Sequence, residues 1–176
     1  MTRWLVLPRG INVGTRNRVP MGELRPLLGG AGFGDVATVL QSGNLIVTGP
    51  DDEPTVIFRV QELLRSAFDV DVPCLARSAA ELRAAIEASP LGDIATDGSR
   101  HLVVFLSQAP STDDAAAVQR EDHRPEVIRV LGRDAFVWTP DGVKAMTLSP
   151  TALERRFGVT ATARNWTTVQ RIAALL

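Results

Sequence analysis

The chain has one cysteine, Cys74, so no internal disulfide can form, and a Cys-x-x-Cys redox site or thiolate zinc cluster is excluded. It has no tyrosine and only 5% aromatic residues, which leaves little stacking surface for single-stranded nucleic acid. It has two histidines, His101 and His123, too isolated in sequence to suggest a metal centre. Lys144 is the only lysine, so nearly all the cationic charge is arginine. That fits a compositional bias toward Arg and Ala, and arginine also suits bidentate contacts to phosphate or carboxylate. Charge of one sign is not in excess. The net charge of -1 argues against nucleic-acid binding over the whole surface and leaves a local basic patch open. No apolar run approaches the roughly 18 residues that span a bilayer. The first apolar run stops at Arg9, too early for a secretory signal, so a cytoplasmic protein is expected.

What is present reads as one mixed domain or two small ones: 176 residues, 45% hydrophobic and 22% charged. Residues 3–8 suggest a buried strand, with Pro8 closing it or at its edge. Met21, Leu24, Leu27 and Leu28 follow at helical spacing, with Pro26 awkward inside. Val36–Leu40 and Leu45–Thr48 read as strands joined by a hairpin through Gln41-Ser42-Gly43-Asn44. Asp51-Asp52-Glu53-Pro54 opens a helix, and Val70–Ala76 follows as a strand. The order βαββαβ predicts a ferredoxin-like unit. Ser78-x-x-Glu81 is a capping box for a further helix that stops at Ser89-Pro90. The Gly-, Asp- and Ser-rich residues 91–100 mark a boundary. Strands at His101–Leu106, Val127–Leu131, Ala135–Thr139 and Val143–Met146, with helices at 110–122 and 150–157, then form a second half. Asn165 caps a last helix. The expectation is an α+β fold. A ferredoxin-like half (residues 1–90, carrying loop 9–18) precedes a related half (91–176), and the two form separate domains or one integrated domain.

Three polar stretches are candidates for a site. Loop 9–18 carries Arg9, Asn12, Arg16 and Arg18 with glycines and no acid, a combination suited to anions. It matches neither a Walker loop nor a dinucleotide fingerprint. As an alternative, Gly and Asn there only supply left-handed backbone while the arginines are solvated. Gln41, Ser42 and Asn44 could face a ligand or simply make a turn. Arg164, Asn165 and Trp166 form the third corner. The acid pairs at Asp51-Asp52 and Asp113-Asp114 read as helix caps, and Cys74 as an inert buried thiol.

Arg9-Gly10-Ile11-Asn12-Val13-Gly14, Gln41-Ser42-Gly43-Asn44 and Thr162-Ala163-Arg164-Asn165-Trp166, taken in that order, resemble the marks of the bacterial family called domain of unknown function 1697. The resemblance runs along essentially the whole chain. It implies an α+β fold with ferredoxin-like units and no assigned activity, substrate or cofactor. The polar marks it carries over fall on Arg9, Asn12, Gln41, Ser42, Asn44, Arg164, Asn165 and Trp166. The family's usual Ser-Lys-Leu is replaced by Met146-Thr147-Leu148, and Pro8 stands where leucine is usual. An anion contact made through that lysine is lost here.

The functional expectation is non-catalytic binding of a small anionic or phosphate-bearing ligand (a nucleotide, a phosphorylated metabolite or an RNA phosphate) on a surface shared by the three stretches, with no cofactor and no metal. One alternative is a transfer or hydrolytic enzyme using Ser42, for which no base is evident. Another is a self-associating protein, a homodimer paired through sheet edges.

Overall fold

A computed structural model describes all of residues 1–176. The chain divides into two compact units, residues 1–83 with 171–176, and residues 84–170.

The first unit is built on a four-stranded antiparallel sheet of β1 (Thr2–Pro8), β2 (Gly34–Val39), β3 (Asn44–Gly49) and β4 (Cys74–Ser78), in the order β2-β3-β1-β4. Helix α1 (Met21–Gly30) links β1 to β2, and α2 (Glu53–Phe68) links β3 to β4. Trp4 and Val6 alternate on β1 and enter one core with Leu45, Val47 and Ala76. The helices close that core. Val56, Val60 and Leu64 make one stripe of α2, and Leu24 and Leu28 supply that of α1. Pro26 lies inside α1, which starts at Met21 and runs to Gly30. Asp52 caps α2 by accepting the Thr55 N–H at 2.9 Å.

The second unit repeats this plan. Strands β5 (His101–Leu106), β6 (Val127–Leu131), β7 (Asp134–Trp138) and β8 (Ala161–Asn165) form a sheet in the order β6-β7-β5-β8. Helix α4 (Thr112–Arg120) links β5 to β6, and α5 (Pro150–Phe157) links β7 to β8. Its core gathers Leu102, Val104, Leu106, Val118, Ala135, Val137 and Leu153. Each half continues past its last strand into a helix, α3 (Ala79–Glu87) and α6 (Trp166–Ala173). The fold is therefore mixed α+β, with two similar halves in ferredoxin-like duplication. No helix is long and apolar enough to cross a membrane.

The second half differs from expectation in one place. Residues 143–146, read as a strand, are irregular, and Ala161–Asn165 supplies the edge strand instead. The segment is held by a side chain rather than a strand ladder. The Glu126 carboxylate accepts the N–H groups of Thr147 (2.7 Å) and Leu148 (3.0 Å) and the Thr147 hydroxyl (2.9 Å).

Candidate functional site

Loop 9–18 is a folded finger. Ile11 and Val19, both buried, anchor its two ends. Between them the Asn12 N–H donates to the Asn17 carbonyl at 3.0 Å, the Arg16 N–H donates to the Val13 carbonyl at 3.1 Å, and Val13 and Arg16 form an isolated antiparallel bridge. Asn12, Gly14 and Asn17 hold the left-handed angles this needs, with φ of 53°, 58° and 50°. Asn side chains make the finger stiff. Asn12 Nδ2 donates to the carbonyls of Val19 (2.9 Å) and Gln41 (2.7 Å), while Asn12 Oδ1 accepts the Val19 N–H (2.8 Å). Asn17 Nδ2 donates to the Gly10 carbonyl at 3.0 Å.

The same clamp ties the finger to the β2–β3 turn. A Cβ on Gly43 would lie 2.4 Å from Ile11 Cδ1, so glycine is required for this approach as well as for its φ of 82°. Asn44 is fully buried and closes the turn, its Nδ2 donating to the Val39 carbonyl (2.7 Å) and to Ser42 Oγ (3.2 Å). Beside this junction lies a depression of about 420 Å³ lined by Asn12, Arg18, Val19, Pro20 and Gln41. Arg16, Arg18, Gln41 and Ser42 are exposed, Arg18 and Gln41 of them lining the depression, and the finger carries no carboxylate. Arg9 is half-buried at the root of the finger, where its N–H donates to the Pro73 carbonyl at 2.9 Å.

Arg164, Asn165 and Trp166 belong to the second unit. Arg164 Nη1 donates to the Ala163 carbonyl (2.7 Å) and Thr162 Oγ1 (3.1 Å), and burial pushes the guanidinium down to about 10, still charged at neutral pH. Asn165 Oδ1 accepts the Thr168 N–H at 2.9 Å and caps α6, as its place in the sequence implied. Trp166 stacks on the His101 ring with centroids 4.6 Å apart.

One residue escaped the sequence reading. Arg77, 2% exposed, occupies in β4 the place Arg164 takes in β8. It pairs with Leu5 of β1 as Arg164 pairs with Val103 of β5, and its Nη1 likewise donates to the preceding carbonyl, Ala76 O at 2.8 Å. The next residue in each case caps a helix: Ser78 accepts the Glu81 N–H at 3.2 Å where Asn165 accepts that of Thr168. The signal was Ala76-Arg77-Ser78 against Ala163-Arg164-Asn165, an internal repeat visible only once the halves are aligned. No group of three or more His, Cys, Asp or Glu side chains is placed to hold a metal ion.

Among solved structures, the chain is similar to a conserved bacterial protein from Streptococcus pneumoniae, with 24% identity and a TM-score of 0.76 over 99% of this chain and 98% of that one. At this identity the likeness is one of fold. No curated protein matches the chain. The family model described as protein of unknown function, DUF1697, matches residues 1–136, most of the sequence, and the chain belongs to that family.

Proposed function

We propose that the protein binds a small phosphate-bearing anion, without acting on it chemically, in the depression between the finger and the β2–β3 turn. The observation that carries this reading is Arg18. It lines a pre-shaped depression beside Gln41, on a finger whose bends are already fixed by Asn12 and Asn17. A rigid site loses little conformational freedom when a ligand enters. Arg18 supplies the charged contact, Gln41 and Ser42 supply neutral polar contacts, and Arg16 adds positive potential at the mouth. Asn12 and Asn44 are positioning residues, since their amides are occupied by the backbone they hold. Arg9 braces the root of the finger.

We assign Arg164, Asn165 and Trp166 to the scaffold of the second unit rather than to this site, on the strength of their contacts there. A nucleophilic Ser42 is not favoured. Its neighbour Asn44 donates an amide proton to Ser42 Oγ, whereas activation needs a proton acceptor, and the first unit contains no histidine.

The test is calorimetric titration with pyrophosphate, adenosine monophosphate and a short RNA, using the full chain and its Arg18→Ala and Arg16→Ala variants. Loss of a charge-assisted contact predicts roughly ten- to hundredfold weaker binding for Arg18→Ala and a smaller, salt-sensitive loss for Arg16→Ala. Binding of the RNA alone would replace the small ligand with a polyanion. No binding by any probe, or binding indifferent to Arg18→Ala, would remove the site.

A further inference from the structure

The second unit holds a separate cleft. Two depressions, of about 270 and 430 Å³, adjoin where both are lined by His123 and Thr147. Ligand pockets occupy roughly 300–1,000 Å³, so the pair together offers a ligand-sized space. The floor at Thr147 is firm, because Glu126 holds the Thr147 N–H and hydroxyl and the Leu148 N–H.

The histidine between the depressions has a defined tautomer. His123 Nε2 lies 2.7 Å from the Val118 carbonyl oxygen. A carbonyl oxygen only accepts, so Nε2 carries the proton and Nδ1 of the neutral ring keeps its lone pair. Nδ1 is then the ring's remaining polar atom, and it is an acceptor.

The charges around it are mostly spent. Asp122 pairs with Arg124 at 2.6 Å, and Glu121 pairs with Arg156 through both carboxylate oxygens. Glu121 also lies 3.7 Å from His123 Nε2. Both oxygens of Glu126 are engaged by its three donors. Two charges remain exposed and outside any ion pair, one in each depression: Asp141 in the smaller, Arg155 in the larger. The larger depression adds an apolar wall from Leu148, Ala152 and Leu153. The two depressions therefore offer a free carboxylate in one, a free guanidinium in the other, and a hydrogen-bond-accepting imidazole that lines both.

We infer that this cleft binds a short zwitterionic chain of peptide-like chemistry. Its ammonium lies at Asp141, its carboxylate at Arg155, and an N–H from its middle donates to His123 Nδ1. A single-charge ligand engages only one end.

The experiment uses the full chain and triglycine as the probe, followed by the ring-nitrogen NMR signals of His123. N-acetyl-triglycine, which lacks the ammonium, and triglycinamide, which lacks the carboxylate, are the comparison probes. The expected result is saturable movement of the His123 Nδ1 signal with triglycine, with binding about tenfold or more weaker for each blocked peptide. Asp141→Asn and Arg155→Ala should each weaken triglycine binding to a similar degree. Both side chains are exposed and outside any ion pair, so unchanged melting temperatures will show that the variants fold. Movement of the signal that is equal for all three peptides, affinity unaltered in both variants, or no movement up to about 10 mM triglycine, a free energy near the weakest useful binding, would each overturn the inference.

Discussion

Replacing Asn12 tests whether the finger is clamped from within. Its side chain makes three hydrogen bonds, at 2.9, 2.7 and 2.8 Å, to Val19 O, Gln41 O and Val19 N. The two bonds to Val19 are partly shielded from water and the one to Gln41 is exposed; at about 1 kcal/mol net each, deleting the amide costs at most about 3 kcal/mol if the three act independently. Shared geometry brings the figure down, and about 2 kcal/mol is a reasonable lower value. The backbone adds to it. Asn12 sits at a φ of 53°, where alanine is disfavoured by about 1 kcal/mol relative to residues that tolerate the left-handed region. Asn12→Ala should therefore destabilise by about 3–4 kcal/mol, and Asn12→Gly, which removes the bonds but not the backbone fit, by about 1 kcal/mol less. Urea unfolding of the three proteins measures both numbers, and amide exchange over residues 10–19 should accelerate in both variants. A loss below about 0.5 kcal/mol, the range of ordinary surface substitutions, would refute the clamp. It would also return the Asn12 amide to the pool of groups available to a ligand.

Other outcomes follow from buried groups elsewhere. His101 is 2% exposed with Nε2 unpartnered, and burial depresses its proton affinity. The unfolded chain, with the ordinary value near 6.5, then takes up the proton first. Stability should fall as pH drops below about 6.5, at no more than about 1.4 kcal/mol per pH unit. His101→Phe should flatten the curve between pH 6.5 and 5, above the range where carboxylates titrate, and parallel curves would contradict the assignment. Gly43→Ala should cost about 1–3 kcal/mol, because its Cβ meets Ile11 Cδ1 at 2.4 Å. Combined with Ile11→Ala in a double-mutant cycle, the loss should be less than additive. Cys74 is buried and its thiol is pushed up to about 12, so a disulfide reagent at pH 8 should leave it untouched in the native protein and label it in urea.

Local chemistry explains how much of this molecule can be read along the chain. The caps at Asp52, Ser78 and Asn165 join atoms three residues apart, and each was legible as a motif. The ferredoxin-like order of the first half followed from alternation and helical spacing. What escaped depends on partners far away in sequence. Glu126 grips Thr147 and Leu148 across more than twenty residues, and nothing in residues 143–146 reveals that the segment will not join a ladder. The polar end of β8 disguised an edge strand as a cap, because Arg164 and Asn165 look like loop residues until the pairing with β5 is known. Arg77 was invisible for the opposite reason: an arginine in an apolar run reads as a strand end. Of the candidate site, the finger and turn residues Asn12, Arg18, Gln41, Ser42 and Asn44 were named from sequence. That their amides serve the backbone, and leave Arg18 as the charged group at the depression, required coordinates.

The most direct test of phosphate binding at the finger is a backbone-amide NMR titration of the full chain with pyrophosphate. The account predicts saturable shifts confined to residues 12–20 and 41–43, moved to roughly ten- to hundredfold higher pyrophosphate by Arg18→Ala while the remaining spectrum stays unchanged. Saturable shifts centred elsewhere in the first unit, or a spectrum indifferent to pyrophosphate, would contradict it.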